Sequence, residues 1–296
     1  MIRAFKPSRV AVGQVSSQTL FEYLCVRFPH IGEAVWRSRF ARGQVLDQDH
    51  KPLALGQQIS SHCHYFYYRE VAEETALPFN EQVVYEDEHL LVIDKPHYLP
   101  VTPSGPYVQE TVLWRQQKRL QEPDLSPLHR LDRETAGLLL LARQRGSRAR
   151  YQALFREQKI HKTYHAIAPG SAFCAGLKFP LVHRSRMLKG AHFLQMQEVD
   201  GVANSETLIE VLQQNGAWAK YQLTPKTGRK HQLRVHMNSL GLSILHDRIY
   251  PRLEEKNAQD YLCPPLQLLA KSVHFVDPLS GREHFLTSRQ ELFLPA

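Results

Sequence analysis

The sequence predicts an α+β protein: a mixed, mainly antiparallel sheet with helices on its flanks, preceded by a small separate unit. Three observations predict it. Segments of strand length recur: the continuous apolar run Leu138–Ala142, then Lys162–Ala168 and Tyr221–Thr224. Between them lie stretches with helical spacing, Ser147–Gln158 and Arg229–Leu240. Ahead of residue 70 the pattern changes to two short helical candidates followed by a glycine turn.

The elements follow in order. Residues 1–70 form the small unit. Ser16 and Ser17 can cap a helix that places Leu20, Tyr23, Leu24 and Phe28 on one face. A second helix spans Gly32 to Phe40, with Arg37, Arg39 and Arg42 near its end, before Gly43-Gln44-Val45 turns into a strand. Tyr65-Phe66-Tyr67-Tyr68 closes the unit. Aromatic runs can stack on bases, but half of a strand points inward, so core packing is expected. Residues 71–78, beside Glu70 and carrying Glu73 and Glu74, read as an acidic linker, and 79–296 as the large domain. There, Leu138–Ala142 is a buried strand, and Ser147–Gln158 a helix with Tyr151, Leu154 and Phe155 on one face. Lys162–Ala168 is a strand that puts Tyr164 and Ala166 on the face opposite Thr163 and His165. Tyr221–Thr224 is turned by Pro225–Gly228, and the helix Arg229–Leu240 is stopped by Gly241.

Composition narrows the function. With 43% hydrophobic and 22% charged residues among 296, the chain is of ordinary globular type. No run approaches the roughly 20 apolar residues of a membrane span, and no signal-peptide core follows Met1. Cys25, Cys63, Cys174 and Cys263 are scattered without a CxxC pair, which argues against a disulfide framework or a zinc knuckle. His62-Cys63-His64 has no second ligand cluster behind it. The expectation is a cytoplasmic protein with no metal and no cofactor. A net charge of +8 favours a polyanionic partner. Its distribution sharpens this: His129–His165 holds nine Lys/Arg against three acids. Lys220, Lys226, Arg229, Lys230 and Arg234 occupy a second acid-free stretch. Such one-signed stretches favour a groove that tracks phosphates.

The first of these stretches holds the candidate chemistry. In His129-Arg130-Leu131-Asp132-Arg133 a single carboxylate stands between two arginines that would keep it ionised. A surface ion-pair cluster is the plain alternative. With Thr135-Ala136-Gly137 and the leucines behind it, the run resembles the catalytic motif of the RluA-type RNA pseudouridine synthases. Alanine stands at 136 where the common pattern has serine. Further motifs of that family stand in order along the chain: upstream Val84–Pro96, a strand pair ending in Lys95-Pro96; downstream Gln158–Ile167, with Tyr164; Leu223–Met237, with Arg234; Leu240–Tyr250, with His246 where glycine is common; and Leu269–Pro278. The resemblance covers residues 79 to 287. It implies a long bent sheet whose cleft holds the active site, with Asp132 catalytic, Arg234 its partner and Tyr164 in the site. The charge pattern adds Arg130, Arg133, Lys95, Lys162, Arg229 and Lys230 as RNA contacts, with bracing of the loop the alternative for Arg130 and Arg133 and a place in the cleft wall for Lys95. Residues 1–70 resemble, more weakly, an α-L RNA-binding module. That would add Arg37 and Arg39, unless the unit is a packing appendage.

The implied activity is isomerisation of specific uridines to pseudouridine in structured RNA, with the base flipped out of its stack. Ribosomal RNA is favoured and transfer RNA is the second choice. Asp132 could attack C1′, attack the base or remove a sugar proton. Two alternatives stand beside this: a non-catalytic RNA-binding or ribosome assembly factor on the same fold, and a nucleoside or RNA hydrolase. The expected partner is RNA, without a membrane, and the chain is expected to be a monomer.

Overall fold

A computed structural model describes residues 1–15, 18–170, 176–254 and 260–295. The chain divides into two units, residues 1–76 with 102–115 and residues 77–101 with 116–296.

In the first unit, strand β1 (Ile2–Arg3) is followed by β2 (Ser8–Ala11), α1 (Leu20–Arg27), α2 (Glu33–Ala41), β3 (Val45–Leu46), β4 (His64–Tyr67) and β5 (Glu70–Val71). Ser16 and Ser17, predicted to cap α1, lie outside the described residues. Thr19 caps the helix: its hydroxyl accepts the Glu22 N–H at 3.2 Å, and Glu22 accepts the Thr19 N–H at 2.8 Å. The three-stranded sheet β2-β4-β3 and the two helices enclose Val10, Leu20, Leu24, Trp36, Phe40, Tyr65 and Tyr67. Alternate residues of the aromatic run thus enter the core. The acidic stretch has structural work. Glu70 pairs with Arg39 and Arg42, and the Glu74 carboxylate accepts the N–H groups of Val108, Gln109 and Glu110.

The second unit is built on an eleven-stranded sheet. Its elements are β6 (Gln82–Glu86), β7 (Leu90–Lys95), β8 (Ser126–Pro127), β9 (Ala136–Ala142), α4 (Arg145–Arg156), β10 (His161–Pro169), β11 (Leu181–Lys189), β12 (Met196–Val199), β13 (Ser205–Asn215), β14 (Trp218–Pro225), α5 (Gln232–Ser239), β15 (Leu268–Val276) and β16 (Glu283–Thr287). Helix α3 (Val112–Leu120) precedes β8. The strand order is β12-β11-β13-β14-β10-β15-β9-β7-β6, with β16 on β15 and β8 on β9. Every pairing is antiparallel except β9 with β15. The mainly antiparallel mixed sheet read from the sequence is therefore present.

All seven residues of β9 are buried, as expected of an apolar run covered on both faces. On one face α4 lays Tyr151 and Leu154 against Leu138, Leu140 and Phe275. Register then sets the site. Tyr164 on β10 stands opposite Ala270 on β15, which stands opposite Gly137 on β9. Tyr164 is thereby brought beside the loop that enters β9, the loop of Asp132.

Helix α5 starts at Gln232, three residues later than the sequence predicts. His231 adopts a left-handed backbone, φ +55°, which a right-handed helix cannot contain. The Gln232 side chain instead organises the preceding loop, accepting from the Arg229 N–H and the Thr227 hydroxyl. Gly241 follows the helix in the left-handed region, φ +76°, as predicted for its stop. No helix among the described residues is long and apolar enough to cross a membrane.

Among the described glycines, Gly137 leaves a Cβ the least room. Its φ is +103°, and a Cβ there would lie 2.7 Å from the Ala270 nitrogen and closer still to the Ala270 oxygen. Gly137→Ala should cost roughly 3 kcal/mol by overpacking, read as a lower urea midpoint at unchanged slope.

Candidate active site

Asp132 lies on the loop between β8 and β9. Two groups hold that loop. Lys95, at the end of β7, is 0% exposed and spends its three protons on the carbonyls of Pro96, Leu99 and Arg133, at 2.9, 2.9 and 3.0 Å. His129 accepts the Leu140 N–H on Nε2 at 3.1 Å, and burial pushes its imidazole down to about 3. It is a neutral structural acceptor. Lys95 corrects the sequence reading: with no exposed surface and every proton engaged, it cannot contact RNA. Burial also pushes its ammonium down to about 7, against the pull of Asp132.

Arg234 comes from α5 and is 2% exposed at its side chain. Its Nε and Nη2 donate to the two oxygens of Asp247, at 2.8 and 2.6 Å. Its Nη1 donates to Asp132 Oδ2 at 3.3 Å, and Glu134 lies 3.6 Å away. Burial alone would weaken this charge, but Asp247, Asp132 and Glu134 outweigh it and hold the guanidinium above its ordinary range. Asp247 in turn accepts the N–H groups of Ile249 and Tyr250, at 2.9 and 3.0 Å.

The Asp132 side chain is 29% exposed, so one part faces solvent while the rest is held by protein. Burial raises its pKa; His231, Arg234 and Arg130 more than reverse this and keep it below the usual carboxylate range. His231 Nε2 stands 3.6 Å from Asp132 Oδ1. Tyr164 is buried, and its phenol is pushed well up by burial and by the Asp132 charge, so it stays protonated. The arrangement is a half-open, ionised carboxylate with a locked cation behind it and a neutral phenol nearby.

The structure brings together Asp132, Arg234 and Tyr164 from the sequence list, and sorts the basic residues. Arg130, Arg229 and Lys230 are exposed, while Arg133 and Lys162 are half-buried against the rings of Tyr98 and Phe155. Lys230 reaches the carbonyls of Phe193 and Leu194. In the first unit, Arg37 is exposed, but Arg39 is buried, paired with Glu70 at 3.7 Å and set against Trp36 and Tyr67. Arg39 is a core cation and not an RNA contact, a second correction. The sequence reading missed His231, Asp247 and Tyr250. Asp247 and Tyr250 carried a signal, since both stand in the Leu240–Tyr250 motif that the sequence reading quoted without giving them a role.

Among the described residues, His183, Glu198 and His236 bring ligand-type atoms within 4.8 Å of one another. Their bonds are already made: His183 Nε2 lies 2.9 Å from Glu198, and His236 Nε2 lies 2.9 Å from the Ser205 hydroxyl. A metal-bound histidine normally has its other nitrogen held by a partner, and His236 Nδ1 has none. The group reads as a brace between β11, β12 and α5. Cys25, Cys63 and Cys263 are free thiols.

Comparison with known proteins gives a consistent picture. The sequence model for RNA pseudouridylate synthase matches residues 89–239, which span Asp132, Tyr164 and Arg234. An uncharacterized RNA pseudouridine synthase of Synechocystis is 30% identical over 78% of this chain and 79% of its own. Ribosomal large subunit pseudouridine synthase C of Vibrio cholerae is 31% identical over 68% of this chain and 63% of its own. Among solved structures, human RNA pseudouridylate synthase domain containing 4 is similar with a TM-score of 0.54 and 28% identity, covering 71% of this chain and 88% of that one.

Asp247 tests the electrostatic frame. Asp247→Ala leaves a buried guanidinium and two N–H groups short of partners and should cost about 3–5 kcal/mol in denaturant unfolding. A loss under about 1 kcal/mol, the scale of an exposed pair, would mean that solvent meets the Arg234 charge.

Proposed function

The chain belongs to the RNA pseudouridylate synthase family, and from that premise we propose that Asp132 is its catalytic residue, held by Arg234, with Tyr164 against the target base. The enzyme is an isomerase that converts uridine in RNA to pseudouridine. The N1–C1′ bond breaks, the base turns, C5 bonds to C1′, the C5 proton leaves and N1 takes one up. Charge develops at C1′ as the base departs, as in glycoside cleavage. A carboxylate there can attack C1′, attack the base or remove a sugar proton. Each role needs it ionised and oriented.

One observation carries the proposal: among the carboxylates on Arg234, Asp132 is the open one. Asp247 is 1% exposed and takes two guanidinium bonds, whereas Asp132 takes one and keeps 29% of its side chain exposed. Tyr164 holds its proton too tightly to surrender it readily, which supports a stacking and hydrogen-bonding role over proton transfer. Arg130, Arg229 and Lys230, with Arg133 and Lys162, are the phosphate contacts of the large unit, and Arg37 that of the small one.

The substrate we favour is ribosomal RNA, a choice supported by the name of the Vibrio cholerae relative, a ribosomal large subunit pseudouridine synthase. The target uridine lies in a loop or irregular helix, where flipping costs least. The enzyme acts as a monomer in the cytoplasm and needs no cofactor.

The test is a transcriptome-wide pseudouridine map, by carbodiimide labelling and reverse-transcription stops, in cells lacking the gene. The native chain should restore at least one stop, and Asp132→Ala none. A stop restored by Asp132→Ala would remove that residue from catalysis. A new stop in transfer RNA alone would replace the ribosomal assignment.

Binding supplies a second prediction. Affinity of the Asp132→Ala protein for the mapped RNA should fall steeply with salt, by roughly 0.7–0.9 in log–log slope per phosphate contact. Arg130→Ala should flatten that slope by about one contact's worth, measured by fluorescence anisotropy. An unchanged slope would take Arg130 out of the phosphate groove.

A further inference from the structure

We propose that His231 is a positioning residue for Asp132: Tyr250 fixes its tautomer so that Nε2–H closes on Oδ1 when RNA enters, holding the carboxylate in its working orientation. The inference rests on the pseudouridine synthase reading of the site and adds a donor that the sequence motifs did not single out.

The tautomer follows from counting protons. The Tyr250 hydroxyl accepts the Met196 N–H at 2.8 Å, so its own proton is free to be donated. The ring nitrogen in reach is His231 Nδ1, at 3.0 Å. With Nδ1 as acceptor the ring proton sits on Nε2, the nitrogen facing Asp132, whereas the opposite tautomer would turn a bare lone pair toward the carboxylate. Burial pushes the imidazole down to about 4, so near neutral pH it meets the carboxylate as an uncharged donor.

Geometry gives the donor its purpose. Arg234 serves Oδ2 of Asp132, and His231 faces Oδ1. One donor per oxygen fixes the rotation of the carboxylate, which a single ion pair does not. At 3.6 Å the His231 contact is too long to be a hydrogen bond. Such contacts are often long without substrate and tighten when it binds. The ring is held for this: it packs edge-on against Tyr250 and sits on a left-handed backbone braced by Gln232. The other groups that face Asp132 are Arg130, Lys95, Tyr164, Lys230, Arg234 and Tyr250.

Two substitutions separate the donor from the backbone. His231→Gln carries an amide nitrogen near the place of Nε2, whereas His231→Asn carries one near Nδ1. Asparagine tolerates the left-handed region better than glutamine. A purely structural role therefore predicts that Asn performs at least as well as Gln. The positioning role predicts the reverse.

The measurement is single-turnover tritium release across pH, since the C5 hydrogen is lost in the reaction. The probe is total RNA labelled with tritium at uridine C5, from cells lacking the gene. His231→Asn should lose about 10–100-fold in rate, the worth of a hydrogen bond to a charged group. Its acid limb should move up in pH, because a carboxylate without its donor protonates sooner. His231→Gln should stay within about fivefold of the native rate with the acid limb in place. An Asn rate equal to or above the Gln rate overturns the inference. If neither variant folds by thermal unfolding, Tyr250→Phe decides: with the tautomer lock removed, an unchanged rate and acid limb also overturn it. Native protein that releases no more tritium than Asp132→Ala would instead defeat the reading on which the inference rests.

Discussion

Arg234 is taken almost wholly out of water on α5, and its charge has to be met inside the protein. Desolvating a cation costs several kcal/mol, and leaving it unpaired costs more than either partner is worth alone. Asp247 meets most of that demand through two short bonds, and is itself held by the N–H groups of Ile249 and Tyr250. Only then does Nη1 remain for Asp132. One guanidinium thus ties the 247–250 loop, helix α5 and the Asp132 loop into a single frame. The order of strengths matters. If Asp132 took the bidentate bond, it would be as closed as Asp247 and of no use to a substrate.

The sheet depends on a second constraint of the same kind. The strand that leads away from Asp132 must pass Ala270 on β15 at a distance only glycine allows. That approach brings β9, β15 and β10 into the register that sets Tyr164 beside the aspartate. Lys95 and His129 complete the loop, one donating three times to carbonyls and the other accepting one N–H. Both carry titratable groups, and both are structural here.

Much of this was legible in the chain. The leucine run had to be a buried strand, and Tyr151 and Leu154 had to face it. Asp132, Tyr164 and Arg234 stood in motifs whose resemblance named them. What the sequence hid was the fate of cations and the partners of partners. Lys95 and Arg39 look like surface charges in a basic protein, yet each is buried with its protons or charge engaged. Arg39 left a trace, since it follows Trp36 by one helical turn and so shares the face that enters the core. Helix α5 began late because a histidine can adopt a left-handed backbone that no periodicity records. His231 and Asp247 act on Asp132 through contacts that depend on that turn and on a loop beyond the helix. No local pattern encodes them.

The two kinds of positive charge around Asp132 answer different needs. RNA brings its own negative charge to the cleft, and phosphates near a carboxylate raise its pKa and work against the ionised form. On the proposed reading, exposed Arg130, Arg229 and Lys230 trade water for phosphate, which binds the RNA and cancels that field, but mobile ions screen them. Arg234 and His231 are buried, so neither salt nor phosphate competes with them at the carboxylate oxygens. On that reading affinity rests on charges that salt can weaken, and the state of Asp132 on charges and dipoles that it cannot. The acid limb of the reaction should accordingly be less sensitive to ionic strength than the binding of RNA, because the two are governed by groups on opposite sides of the protein surface.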